Sequence, residues 1–205
     1  MKKLAVWLVI LCLLPLYALA ENIPAYQSVE LAADGISVRL LLPEGVTLLN
    51  GKSLVKDWDG LPEEYIRLRR SEISLGRLNG LIALDSNAKW DIQWVLLKGE
   101  NGGDLDELSP VEAEQHCKRT IVGYQAEGLD VTGGVSCWLG AHRYTNVSYK
   151  YENQQHQLFY AEEYYTRQNG WNIMVQLKGY GSPAPEEAYA LLRSIIESQV
   201  VTVTE

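Results

Sequence analysis

The dipeptide Asn169-Gly170 most constrains the fold of this chain, because it marks a tight turn between two segments of alternating polarity. Asparagine and glycine readily adopt the left-handed backbone conformation that a two-residue hairpin turn requires. The flanking segments, 157–167 and 171–178, alternate apolar and polar side chains with the period of a half-buried strand. The sequence therefore predicts an antiparallel hairpin in the last third of the chain.

Shorter segments of the same character predict further strands, and turn residues such as Ala33-Asp34-Gly35 separate several of them. Trp90, Ile92, Trp94 and Leu96 are expected to share one face of their strand, since side chains two apart point the same way. The further predicted strands cover 26–32, 36–42, 81–84, 92–97, 135–139 and 143–151. The tail at 200–205 is apolar and β-branched, and we expect it to pack back onto the body of the protein.

Helix signals lie between these strands. Ser109 and Glu112 have the spacing of a capping box, in which each side chain accepts a hydrogen bond from the other residue's backbone N–H. Proline and paired acids mark the starts of the two other helices, where they suit the first turn. The predicted helices begin at Leu61-Pro62, at the Ser109 cap and at 182–187, and they end before Gly76 or Gly80, near Ala126 and near Ser198.

The order of these elements resembles the PsbP/Mog-type fold, and so do several local motifs. A strand that ends in Pro43-Glu44-Gly45 resembles the N-terminal strand of exported bacterial members. The other motifs are the Tyr-rich strand 160–166, the turn 168–170, the strand 171–177 and the helix end 194–198. The resemblance implies one α+β domain over 21–205, an antiparallel β-sheet with helices packed on its faces in a PsbP-like α/β/α sandwich. It also implies a non-catalytic accessory or binding protein, because most members are of that kind.

Residues 1–20 have the three parts of a secretory signal peptide. Lys2 and Lys3 precede an apolar run, and Ala18 and Ala20 supply the small side chains that signal peptidase requires. The run is shorter than the roughly 20 residues of a spanning helix, and a proline interrupts it. These features favour cleavage after Ala20 over an uncleaved anchor, so we expect a secreted or periplasmic bacterial protein whose mature chain has no membrane span.

Composition restricts the partners of this chain. Its formal charge is −8, and the loss of Lys2 and Lys3 with the signal peptide makes it −10. Such a surface repels nucleic acid and anionic lipid, so neither is an expected partner. The 6 Trp and 12 Tyr, against 1 Phe, suit half-buried sheet faces and binding surfaces. We expect an unknown protein or small ligand of the cell envelope as the partner, and no cofactor.

Cys117 and Cys137 are the cysteines that remain once Cys12 leaves with the signal peptide. Two thiols in an oxidising compartment most naturally pair, and the helical pattern turns Cys117 inward. The alternatives are two buried free thiols or a redox pair, although the spacing is not that of a C-x-x-C motif. The sequence therefore predicts a structural disulfide between Cys117 and Cys137.

A secreted hydrolase is the alternative to a binding module. Ser136 follows one glycine of a nucleophile elbow, Gly134, but the second glycine is missing. His142 comes six residues later and would have to approach Ser136 across a tight turn, and no acid is placed by the sequence to orient it. This hypothesis requires Ser136 and His142 to lie within hydrogen-bond reach of each other.

An acidic loop provides a further alternative, a Ca²⁺-stabilised extracellular module. Asp104, Asp106 and Glu107 follow a pair of glycines, and flexible loops rich in carboxylates are typical of calcium sites. The spacing differs from that of an EF-hand, and an acidic loop is more often simply solvated.

Tyrosine and glutamate residues on neighbouring strands predict a ligand-binding surface. Tyr149 and Tyr151 lie on one predicted strand, and Tyr160, Glu162 and Tyr164 lie on the next. Together they would form an aromatic, acidic sheet face open to a sugar, a peptide or a partner protein. The alternative is a face covered by the C-terminal helix, which we expect for one of the two faces.

Overall fold

The computed structural model describes residues 25–99, 103–153 and 155–203, and the predicted signal peptide lies outside these residues. Its elements alternate short strands with helices in the predicted order. The strands are β1 (Tyr26–Ala33), β2 (Ile36–Pro43), β3 (Leu49–Asn50), β4 (Gly80–Ala83), β5 (Trp90–Lys98), β6 (Asp130–Leu139), β7 (His142–Glu152), β8 (Leu158–Gln168), β9 (Trp171–Tyr180) and β10 (Val200–Val203), and the helices are α1 (Glu63–Ser74), α2 (Pro110–Ala126) and α3 (Glu186–Glu197).

The strands form two antiparallel sheets. The large sheet has the order β3-β4-β5-β9-β8-β7-β6, and the small one has the order β1-β2-β10. The predicted hairpin forms the pair β8 and β9, where Gln168 pairs with Trp171 across the turn. Asn169 and Gly170 have φ angles of 48° and 78°, as that turn requires. The predicted α+β class with an antiparallel sheet is therefore confirmed.

Helices cover both faces of the large sheet. Helix α3 and the small sheet pack on one face, in the main core that contains Trp94, Val175 and Leu192. On the opposite face, α1 packs over the β3–β5 end, where Ile66 contacts a cluster around Leu81. Helix α2 packs on the same face over the β6–β7 end. The alternation of Ile92, Trp94 and Leu96 toward the main core, predicted from the sequence, is confirmed.

Two strands differ in extent from the sequence prediction. Strand β6 begins at Asp130 rather than after Gly133-Gly134, because a bulge between Val131 and Gly133 carries the strand through the glycines. The C-terminal tail forms β10, which pairs antiparallel with β2 and so joins the end of the chain to the opening hairpin.

The capping box of α2 is present: Ser109 accepts from the N–H of Glu112, and Glu112 accepts from that of Ser109.

None of the helices within 25–99, 103–153 and 155–203 has the length and apolar character needed to cross a membrane.

Close packing at one strand glycine yields a stability prediction. A Cβ atom at Gly179 of β9 would lie 2.3 Å from the carbonyl oxygen of Ser182, which is backbone and has little freedom to move. We expect Gly179→Ala to destabilise the protein by about 1–3 kcal/mol, the usual effect of overpacking, and to lower its urea midpoint. Gly133→Ala is the matched control, since a Cβ atom there has no neighbour within 4 Å. Equal midpoints for the two variants would contradict this packing.

Candidate ligand-binding site

The face of the large sheet between α1 and α2 carries a continuous set of polar side chains. Strand register places Gln93, Gln176 and Glu163 side by side across β5, β9 and β8, and it places Asp91 opposite Lys178. The β9 residues on this face remain half-buried, whereas their neighbours in sequence are buried in the main core. We call this set the polar strip: Asp91, Gln93, Glu163, Gln176, Lys178 and Tyr180.

One end of the polar strip is a buried ion pair between α1 and β5. The Arg69 guanidinium donates to Asp91 Oδ2 at 3.1 Å, and the two residues are 4% and 0% exposed. Tyr65 and Tyr180 donate their hydroxyls to the same oxygen at 2.7 and 2.9 Å. Gln93 donates to Asp91 Oδ1 at 2.7 Å. Both carboxylate oxygens therefore have donors, as a charge removed from water requires.

The electrostatics of this pair reflect its burial. Burial raises the pKa of Asp91, because removal from water penalises the charged form, and Arg69 partly offsets that shift. Arg69 also donates to Glu72 Oε2 at 2.6 Å. The Tyr65 ring lies under its guanidinium, with 5.2 Å between the charged carbon and the ring centroid. Arg69 thus connects α1 to the sheet through charge, hydrogen bonds and aromatic contact.

The other end of the strip is a buried glutamate beneath α2. Glu163 Oε2 accepts from Tyr149 at 3.2 Å and from Gln176 at 3.1 Å, and Glu163 Oε1 accepts from the hydroxyl of Tyr124. Burial raises the pKa of Glu163, and these three donors partly oppose that shift. Tyr124 belongs to α2, so this contact positions the second helix as Arg69 positions the first.

Lys178 lies between the two clusters. It stands opposite Asp91 in the pairing of β5 with β9, and it is half-buried. Burial lowers its pKa, although the nearby carboxylate of Asp91 opposes the change. Within the described part of the chain, Lys178 makes no ion pair at 4.0 Å or less. Lys178 is therefore the cationic side chain of the polar strip without an ion pair among the described residues.

An aromatic row adjoins the strip. The rings of Tyr151 and Phe159 stack with 4.8 Å between centroids, and Phe159 meets Tyr180 edge-on at 5.4 Å. A cavity of about 430 Å³ lies beside this row, lined by 156–159, Tyr180 and Gly181. Tyr180 is two residues from Lys178 on the same face of β9, which corresponds to about 7 Å. An apolar surface and a cation thus lie within the length of one small ligand.

The predicted tyrosine surface is divided between the two sheet faces. Tyr149 and Tyr151 lie on the face of the polar strip. Tyr164 is buried in the main core, and its hydroxyl donates to Glu162 Oε1 at 2.6 Å on that opposite face, which Tyr160 shares. The five residues do not form one surface, because the register pairs Tyr149 with Ala161 and Tyr151 with Phe159, which places both tyrosines on the face opposite Tyr160, Glu162 and Tyr164.

The structure does not bring Ser136 and His142 together. In the pairing of β6 with β7, Ser136 stands opposite Thr145 and His142 stands opposite Leu139. Three residues along a strand span about 10 Å, beyond hydrogen-bond reach. His142 Nδ1 instead lies 2.9 Å from Asp106 Oδ2. The nucleophile–base pair of the hydrolase alternative is therefore not formed.

Two carboxylates of the acidic loop accept hydrogen bonds from other parts of the chain. Asp106 accepts from the backbone N–H of Arg143 at 2.6 Å and from Gln168 at 2.8 Å, and Asp104 accepts from the N–H of Asn169 at 2.6 Å. Among the described residues, no three His, Cys, Asp or Glu side chains form a group suited to a metal ion. Asp104, Asp106 and Glu107 therefore do not form the predicted Ca²⁺ site in the described structure. Asp106 and Asp104 instead accept hydrogen bonds that hold the loop against β7 and the β8–β9 turn.

The predicted disulfide is not formed, and both cysteines are free thiols. Cys117 is a buried residue of α2 and lines a groove together with Ser136 and Trp138 of β6. Cys137 lies between those two residues in β6, so it points to the opposite face and packs against the main core. The intervening sheet separates the two side chains.

Sequence reasoning missed Arg69, Asp91 and Lys178. The signal available was the alternation in β5, where Asp91 and Gln93 interrupt an apolar run, and the polar face of β9. Neither pattern shows that a helical arginine distant in sequence supplies the opposite charge.

Two solved structures are similar to this chain. The chain is similar to the solution structure of cyanobacterial PsbP (CyanoP) from Synechocystis sp. PCC 6803, with a TM-score of 0.48 and 12% identity, covering 88% of this chain and 95% of that chain. A crystal structure from Bacteroides thetaiotaomicron VPI-5482 has a TM-score of 0.43 and 6% identity, and the match covers 82% of this chain and 45% of that chain.

No family model matches the sequence, and no curated protein matches it.

Burial of Glu163 yields a prediction on pH dependence. Its folded-state pKa lies above the ordinary value of 4.5, so the folded protein binds this proton more tightly than the unfolded chain does. The stability that Glu163 contributes is therefore present at low pH and is lost as the pH rises through its folded-state pKa. Between the unfolded-state and the folded-state pKa of Glu163, we expect the unfolding free energy of the wild type, relative to that of Glu163→Gln, to fall by about 1.4 kcal/mol per pH unit.

Urea unfolding between pH 4 and pH 8 measures this difference. Glu187→Gln serves as the control, because Glu187 is an exposed acid at the start of α3. Its difference from the wild type should stay nearly constant over the same range. A difference for Glu163→Gln that is flat, or that rises with pH, would show that the buried carboxylate keeps an ordinary pKa.

Proposed function

We propose that this chain is an exported, non-catalytic binding module of the bacterial cell envelope, and that it binds a small anionic ligand on the polar strip. The carrying observation is Lys178, a half-buried cation without an ion-pair partner among the described residues, set between two hydrogen-bonded carboxylate clusters. The signal-peptide pattern of the first 20 residues supports the cellular location.

The ammonium of Lys178 favours an anionic group over a cationic one, because the carboxylates beside it already have hydrogen-bond partners. Asp91 is already paired with Arg69, and Glu163 accepts from Tyr149 and Gln176, so neither carboxylate needs a donor from a ligand. A carboxylate or phosphate on the ammonium of Lys178 would form a charge-assisted hydrogen bond in a partly water-excluded place.

The aromatic row indicates that the ligand also has an apolar part. Phe159 and Tyr180 border the cavity of about 430 Å³, a volume within the range of small-molecule sites. An apolar or aromatic group of the ligand fits against these rings, while its anionic group lies toward Lys178. The expected ligand is therefore a small aromatic or aliphatic acid, or a phosphate ester with an apolar part.

A thermal-shift screen with a panel of such acids and phosphate esters tests this proposal. A ligand that binds only the folded protein must raise its melting temperature. We expect at least one compound to stabilise the wild type, and we expect Lys178→Gln to weaken its binding at least tenfold, because the variant removes the charge and leaves a side chain of moderate size.

Lys98→Gln is the matched control, since Lys98 is an exposed lysine at the end of β5 in the same sheet. It should bind the compound with wild-type affinity. The proposal fails if no compound of the panel stabilises the wild type, or if Lys178→Gln binds as tightly as Lys98→Gln.

A further inference from the structure

Strand β6 forms the last strand of the large sheet, and no described strand pairs with its outer side. Its ten residues extend over about 34 Å. The segment Gly133–Leu139 contains neither a charged residue nor a proline, and Val135 and Trp138 are 53% and 52% exposed. Natural edge strands usually carry charges or prolines that prevent pairing with another chain. In β6, the bulge after Val131 is the feature of the described strand that disfavours pairing with another chain.

A groove runs between this strand and α2. Its volume is about 630 Å³, and its apolar lining comes from both elements: Ala113, Cys117 and Ile121 from the helix, and Val135 and Trp138 from the strand. Gly133 and Gly134 are exposed, and a Cβ atom at Gly133 would have no neighbour within 4 Å, whereas one at Gly134 would lie 2.7 Å from the Ile121 side chain of α2. A chain that paired with β6 would therefore place its side chains against an apolar surface.

Arg143 adds a buried charge to the groove. It is 8% exposed, and its guanidinium lies over the Trp138 ring, 4.9 Å from the centroid. Its Nη1 donates to the carbonyl of Ser109 at 3.3 Å, whereas its Nε is buried without a hydrogen-bond partner. Among the described residues no carboxylate pairs with this guanidinium within 4.0 Å: Asp106 accepts from the backbone N–H of Arg143, and Glu114, which lines the same groove, pairs with Lys118 at 2.7 Å.

A buried charge without a counter-ion is unfavourable, and a carboxylate at this place would relieve that penalty. We propose that β6 binds an extended segment of a partner protein as an additional strand, with apolar side chains in the groove and an acidic side chain on Arg143. Main-chain hydrogen bonds give affinity in this mode of recognition, and the pockets for alternate side chains give specificity.

A second copy of this chain fits the groove less well than an acidic segment does. Self-pairing through β6 would offer Arg143 one acidic side chain from that strand, Asp130, which is already paired with Lys150 at 3.1 Å. Helix α2 lies between this groove and the polar strip, so the inference is independent of the small-ligand function.

Selection from a phage-displayed library of random eight-residue peptides tests the proposal with defined probes. We expect enriched peptides to alternate apolar residues and to share one Asp or Glu. As synthetic amidated peptides, they should lose at least tenfold in affinity when that acid becomes Asn or Gln, or when backbone amides on the pairing edge are N-methylated. The acid is replaced in the peptide, and Arg143 is kept in the protein, because replacing the buried Arg143 risks unfolding the protein.

On the protein side, Trp138→Ala should weaken the same peptides at least tenfold. Leu97→Ala is the matched control, because Leu97 is equally exposed, at 50%, on another strand of the sheet. The proposal is overturned if no peptide is enriched, if the enriched peptides lack an acid or tolerate N-methylation, or if Trp138→Ala binds them normally. It is also overturned if the wild type sediments as a dimer that Trp138→Ala dissociates, since a second copy would then cover β6.

Discussion

The buried ion pair between Arg69 of α1 and Asp91 of β5 is the interaction on which the candidate site depends. Removing two charges from water carries a large penalty, and their attraction repays it only when further hydrogen bonds satisfy the carboxylate. Tyr65, Gln93 and Tyr180 supply those bonds. The pair sets α1 at one side of the sheet, and Gln176 and Lys178 at the centre of β9 remain half-buried.

Helix α2 completes this arrangement on the other side. Its Tyr124 contacts Glu163, while its Cys117 and Ile121 line the groove beside β6. One helix thus borders two surfaces of different character, the polar strip with its aromatic row and the apolar groove at the sheet edge. In our proposals the first surface binds a small anionic ligand and the second binds an extended peptide.

The sequence predicts the elements well because their signals are local. Asn169-Gly170 places the central hairpin, and the spacing of Trp94 and its neighbours identifies the core face of β5. The site itself is non-local: Arg69 meets Asp91 across 22 residues and Tyr180 across 111. The cysteine prediction failed for a related reason, since only the packed structure shows which face of β6 α2 covers, and Cys137 lies on the other one.

A double-mutant cycle on the ion pair tests the central claim most directly. Unfolding free energies in urea would be measured for Arg69→Met, for Asp91→Leu and for the two changes together. Each single change leaves one buried charge unpaired and should destabilise the protein by about 3–5 kcal/mol, whereas the double variant should lose much less than the sum. Additive losses would contradict the account, because they would mean that the two side chains do not stabilise each other in the folded protein.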